Sequence, residues 1–179
     1  MVRLLAVAGA LVLAGCGGET VTVTTTETVT ETTTATVTDT TTEARVVGLP
    51  DAVNSKHAAL REAARSGDYE QLRPLIPDQF SYSFGAPEGD PIDYWKMVER
   101  DSGERPIEIL ARILDMPYTL YRGTYVWPFA YDKQPDELTA YERRILGDLA
   151  DDFGAGSGYL GWRAGIERDG TWSFFIAGD

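Results

Sequence analysis

Trp162-Arg163-Ala164-Gly165-Ile166-Glu167-Arg168-Asp169-Gly170-Thr171-Trp172-Ser173-Phe174-Phe175-Ile176 is the most legible segment of the chain. Two apolar, aromatic-rich runs flank a short polar segment with Asp-Gly at its centre, which marks a β-hairpin. Two registers compete. A two-residue turn at Asp169-Gly170 pairs Arg163 with Ile176 and Ile166 with Ser173. A type I turn at Arg168-Asp169, with Gly170 left-handed behind it, pairs Ile166 with Trp172, Ala164 with Phe174 and Trp162 with Ile176. A slip of one residue exchanges the two faces of a strand. Only the second register gathers every large apolar residue except Phe175 on one side, leaving Arg163, Glu167 and Ser173 on the other. The pattern therefore predicts the bulged hairpin, with Arg163 pointing away from the core.

Upstream of this hairpin the periods are mostly helical. Pro50-Asp51 opens a stretch in which Val53, His57, Leu60 and Ala64 recur at helical spacing, and Gly67 stops it. Asp68 and Gln71 suit the capping box of a second short helix with Leu72, Leu75 and Ile76 as its apolar side, ended by Pro77. Gln79 to Gly85 switches to strict alternation, with Phe80, Tyr82 and Phe84 on one side, and reads as a strand. Asp90-Pro91 gives the N-cap and first residue of a third helix, with Asp93 in its first turn and Ile92, Trp95 and Val98 along one face. Pro106 starts a fourth helix, Ile107 to Leu114. Tyr118 to Trp127 reads as one strand, bent at Gly123. Thr139 and Glu142 form the capping box of a fifth helix running to about Ala150, with Ile145, Leu146 and Leu149 inward.

The resulting order is helix, helix, strand, helix, helix, strand, helix, strand, strand. This is an α+β layer: a curved antiparallel sheet covered on one face by helices. Ser66-Gly67-Asp68, Leu72 and Leu75, followed by the aromatic run Phe80 to Phe84, resemble the opening of the nuclear-transport-factor-2-like fold. The resemblance implies a cone-shaped sheet around a pocket. The extra helix pair before the second strand departs from the simple pattern of that family. The ending GWR…DG.W.FF..GD is similar to uncharacterised bacterial secreted proteins and implies no activity.

At the other end of the chain, Leu4 to Ala14 is an apolar run of eleven residues behind Arg3. It is too short to span a bilayer and suits the core of a signal peptide. Leu13-Ala14-Gly15-Cys16 resembles a bacterial lipobox, which implies cleavage before Cys16 and acylation of its sulfur. A plain secretory signal with an incidental Cys is the alternative. The lipobox reading divides the chain into a signal peptide (1–15), an acylated Cys with a Thr-rich linker (16–43) and one α+β domain (44–179). It places the protein at the cell membrane, on the extracytoplasmic face, held by its lipid. Of the twenty-three residues from Thr20 to Thr42, fifteen are Thr and none is a large apolar side chain. That composition predicts a disordered stalk, which when extended reaches about 75 Å at roughly 3.3 Å per residue.

Charge and composition narrow the functional classes. The chain carries a net charge of −12, and residues 44–179 a net charge of −8, with no basic run. Nucleic acid is therefore not an expected partner. Cys16 is the only Cys and His57 the only His. One chain thus offers no disulfide, no Cys–His pair and no nitrogen-and-sulfur zinc cage, and neither metal nor cofactor is expected. Gly154-Ala155-Gly156-Ser157-Gly158 matches neither a nucleophile elbow nor a phosphate loop and reads as a connection. His57, on the apolar stripe of its helix, reads first as a structural residue.

Aromatic residues stand out. Four Trp, nine Tyr and six Phe all lie beyond residue 43. Tyr82, Trp95, Tyr125, Trp127, Trp162 and Trp172 are the candidate lining of a pocket for an amphipathic ligand, with His57, Asp93 and Arg163 as polar contacts. The competing reading is that these aromatics are simply the core. No catalytic residue is assigned. The first functional expectation is a noncatalytic module that binds a small amphipathic ligand or an envelope protein. A pocket enzyme using Asp93 or His57 with Tyr82 and a module that forms a homodimer through its sheet are the alternatives.

Overall fold

The computed structural model describes residues 48–85, 89–154 and 156–178. Cys16 and the Thr-rich linker lie outside them. Among the described residues there are four α-helices: α1 (Asp51–Arg65), α2 (Pro91–Ser102), α3 (Pro106–Leu114) and α4 (Ala140–Leu146). The strands are β1 (Thr119–Tyr121), β2 (Thr124–Trp127), β3 (Phe153–Gly154), β4 (Gly158–Tyr159), β5 (Arg163–Ile166) and β6 (Trp172–Ile176). The main sheet runs β1-β2-β5-β6 and is antiparallel throughout, while β3 and β4 form a separate two-stranded ladder. The class is α+β.

The turn of the C-terminal hairpin has the form expected of it. Gly170 N–H donates to Glu167 O at 2.9 Å, Glu167 N–H donates to Thr171 O at 2.8 Å, and Gly170 has φ +88°. Ile166 pairs with Trp172. Beyond that pair the register departs from expectation. A bulge at Ser173 makes Gly165 face Phe174, Ala164 face Phe175 and Arg163 face Ile176. One inserted residue moves Phe175 into the core, where it is fully buried, and Phe174 to the opposite face. The two competing registers thus each hold at one end of the hairpin. Phe174 lies across Gly165, where a Cβ atom would come within 2.2 Å of its ring. The missing side chain of Gly165 is what lets that ring cover the strand.

Strand pairing and alternation put Tyr125, Trp127, Ala164, Ile166, Trp172 and Phe175 on one face of the sheet. Helices α1, α2 and α3 cover this face. His57 of α1 stacks on Trp127 at 4.8 Å between ring centroids, and Trp95 of α2 packs on Phe175 at 5.4 Å and Trp172 at 5.9 Å. The other face is covered in part by the 3-10 turn Phe129–Asp132, with Tyr131 edge-on to Tyr121.

Four elements differ from expectation. The strand at Gln79–Gly85 shrinks to one parallel bridge, in which Ser81 N–H donates to Ser173 O and Phe175 N–H to Ser81 O. Its alternating aromatics are held by side-chain packing, Phe80 on Trp172 and Tyr82 on Tyr94, and not by a ladder. Tyr118–Trp127 is two strands, because Arg122-Gly123 forms a tight turn with both residues at positive φ, +50° and +96°. The second helix is a pair of 3-10 turns, Tyr69–Gln71 and Arg73–Leu75, and the fifth is an α-helix only to Leu146, continuing as a 3-10 stretch, Gly147–Asp152. Gly147 has φ +62°, which ends the α-helical hydrogen bonding, and Arg112 of α3 donates to Leu146 O at 2.6 Å.

Candidate functional site

A groove of about 490 Å³ opens where the start of β1, the turn after β2 and the first turns of α4 meet. Local chemistry sets each wall. Phe129 N–H donates to Pro117 O at 2.8 Å, which fastens the 3-10 turn to the chain entering β1. Thr139 and Glu142 form a reciprocal capping box at the start of α4, Thr139 Oγ1 accepting from Glu142 N–H at 3.2 Å and Glu142 Oε2 accepting from Thr139 N–H at 2.9 Å. That box fixes the angle at which α4 presents Tyr141, Glu142 and Ile145 to the groove.

The apolar part of the lining is Pro117, Tyr118, Phe129, Tyr141 and Ile145; the polar part is Thr119, Asp132, Lys133, Thr139 and Glu142. Phe129 is buried, Ile145 is half-buried and Tyr141 is exposed. Lys133 Nζ pairs with Glu142 at 2.7 Å and lies over the Phe129 ring at 5.9 Å. Lys133 and the Thr139 donors hold the Glu142 carboxyl down to about 2, below the usual carboxylate range. It stays ionised, already occupied by its partners, and is a wall rather than a proton acceptor at neutral pH. Elsewhere in the lining, Thr119 Oγ1 donates to Asp132 at 2.9 Å. This arrangement can hold a molecule with an apolar body and a polar end.

The aromatics expected to line a pocket are elsewhere. Trp95, Trp127 and Trp172 are fully buried, Tyr82 and Trp162 are buried, and Tyr125 is half-buried. They form the core between sheet and helices, and none of them lines the groove. Two support it from behind: Tyr118 packs on Tyr125 at 5.5 Å and on Trp127 at 5.6 Å. Burial leaves the indole nitrogens of Trp95 and Trp172 without a hydrogen-bond partner among the described residues, whereas Trp162 Nε1 donates to Glu104 at 3.1 Å.

The three expected polar contacts are not brought together. His57 is 1% exposed; its Nε2 lies 2.8 Å from Leu114 O, and burial lowers its pKa. Asp93 is exposed in the first turn of α2, whose cap is Asp90. Arg163 points away from the aromatic face, as expected, but not into solvent. It is 7% exposed, donates to Gly161 O at 3.0 Å and Gly178 O at 2.7 Å, and lies between the rings of Phe84 and Tyr131. A guanidinium buried in this way stitches the C-terminal strand to its neighbours.

One part of the groove, the Thr139–Glu142 box, carries a sequence motif, and that motif marks a helix start. Pro117 precedes β1, and Phe129, Asp132 and Lys133 follow β2 in a stretch with no period, so no pattern gathers them. The available signal was the concentration of Pro, aromatic and charged residues between a strand and a capped helix. No family model, no curated protein and no solved structure matches this chain.

Proposed function

We propose that this protein is a lipid-anchored, extracytoplasmic binding module. Cys16 carries the acyl anchor, the Thr-rich segment is the stalk, and the α+β domain holds a small amphipathic ligand without transforming it. The helix-covered antiparallel sheet is read here as a variant of the nuclear-transport-factor-2-like cone. The groove replaces the aromatic cluster as the ligand site. An anchor and stalk of this kind tether the domain to the membrane, where amphipathic molecules concentrate. A diacylglyceryl group supplies the two chains that stable anchoring requires.

The observation that carries the reading is the groove itself. Its volume lies within the roughly 300–1,000 Å³ of small-molecule sites, and it joins apolar and aromatic surface to a few fixed polar groups. The geometry around Glu142 favours binding over chemistry, because both charges of the Lys133–Glu142 pair are committed to structure.

Nile red, an uncharged dye that brightens in apolar sites, tests the groove. The full chain should enhance its emission, and Ile145→Trp, which fills the groove, should abolish most of that enhancement while leaving the thermal melt cooperative. An unchanged response in Ile145→Trp would remove the groove from the account.

A further inference from the structure

We infer that the groove selects cationic amphipathic ligands, molecules with an apolar body and an ammonium or guanidinium head, and that Asp132 receives the charge. This inference rests on the reading of the groove as the ligand site and adds the class of ligand.

The groove has three charged lining residues, Asp132, Lys133 and Glu142. Lys133 and Glu142 neutralise each other at 2.7 Å. Asp132 is exposed, and among the described residues its carboxylate is engaged by the Thr119 hydroxyl alone, with no Lys or Arg in ion-pair range. A neutral hydroxyl donor orients a carboxylate without compensating its charge, so the groove keeps one net negative charge. Lys133 does not reverse this, since its ammonium is already paired with Glu142.

The aromatic lining points the same way. Tyr118, Phe129 and Tyr141 belong to the lining, and an aromatic ring attracts cations and repels anions at its faces. Lys133 above Phe129 shows one cation already settled on such a ring. The acidic balance of residues 44–179, −8, raises the local concentration of cations and lowers that of anions. An anionic amphiphile would have to approach Asp132 with nothing to pair with. A neutral one would gain the apolar surface and nothing more.

Three probes with the same aromatic body separate these effects: 2-phenylethylammonium, 2-phenylethanol and 3-phenylpropanoate. Each is titrated into the full chain while the methyl resonances of Ile145 are followed by NMR. The cation should bind about three- to fivefold more tightly than the alcohol, the scale of one partly exposed ion pair, and the anion more weakly than either. Asp132→Asn should remove the cation's advantage and leave the alcohol's affinity unchanged. Equal affinities for all three probes, or a cation preference that survives Asp132→Asn, would overturn the charge selection while leaving the groove as a binding site. Failure of every probe to move Ile145 would overturn the groove reading itself and this inference with it.

Discussion

His57 is the residue where the fold is most exposed to acid. Its Nε2 faces Leu114 O, its ring lies on Trp127, and its Nδ1 has no partner among the described residues. A proton added at Nδ1 would have no acceptor. Burial is the largest cause of its lowered pKa; Arg61 adds to it, while the Leu114 carbonyl and Asp115 oppose it. The sign follows directly. The unfolded chain takes up the proton near the ordinary value of 6.5, and the folded chain only at lower pH. The stability contributed by neutral His57 is therefore present above about 6.5 and declines as the pH falls from there toward the folded-state value. The carboxylates held low by Arg and Lys partners, Glu70, Asp90, Asp115 and Glu142, lose their contributions only in a more acidic window. Urea melts between pH 7.5 and 5.5 should show a loss in the native chain that His57→Phe lacks. Parallel losses in the two chains would show that His57 is not the sensor.

Gly170 and Arg163 belong to the same scale. Gly170 combines φ +88° with a close approach to α1, where an added Cβ would lie 2.8 Å from Ala52 O. Gly170→Val should cost about 1–3 kcal/mol from the backbone alone, and the clash adds to it. Trp172→Ala removes a fully buried indole and should cost about 3–5 kcal/mol. Arg163→Ala, which the hairpin pattern alone makes cheap, should cost about 2 kcal/mol, because one buried and one partly buried carbonyl lose their donor. Denaturant melts of the three variants give the order; a neutral Arg163→Ala would mean that water replaces the guanidinium without penalty.

At the scale of elements, capping chemistry and turn chemistry were legible, and pairing partners were not. Asp90 and Thr139 cap the helices assigned to them, and the Glu167–Gly170 turn closes as its Asp-Gly implies. These signals act within four residues, so sequence carries them. The bulge at Ser173 is not local. It follows from the need to bury Phe175 beside Trp95 and Trp162 while Phe174 fills the space left by Gly165. Likewise the alternation at Phe80–Phe84 turns Phe80 and Tyr82 inward and leaves Phe84 exposed, but the edge of β6 accepts only Ser81. The groove was illegible for the same reason: its walls come from three segments, and only Thr139–Glu142 has a motif. That box is testable alone. Thr139→Ala should cost about 1 kcal/mol in a urea melt. It should also weaken Nile red binding, because Glu142 and Ile145 lose their fixed angle; tighter binding would contradict the box as the positioning element.

At the scale of the whole molecule, the proposal joins an anchor, a stalk and a binding domain. Cys16→Ser should shift the protein from the membrane fraction to the soluble one, since the lipid is the only anchor proposed. Retention of the Ser variant in salt-washed membranes would contradict it. The binding claim stands apart from the anchor and is tested most directly by native mass spectrometry of protein released from its own membrane. The account predicts a retained small molecule at one per chain, carrying a basic nitrogen, present in the native chain and lost from Ile145→Trp. A native chain with no bound molecule, or one that Ile145→Trp retains equally, would contradict it.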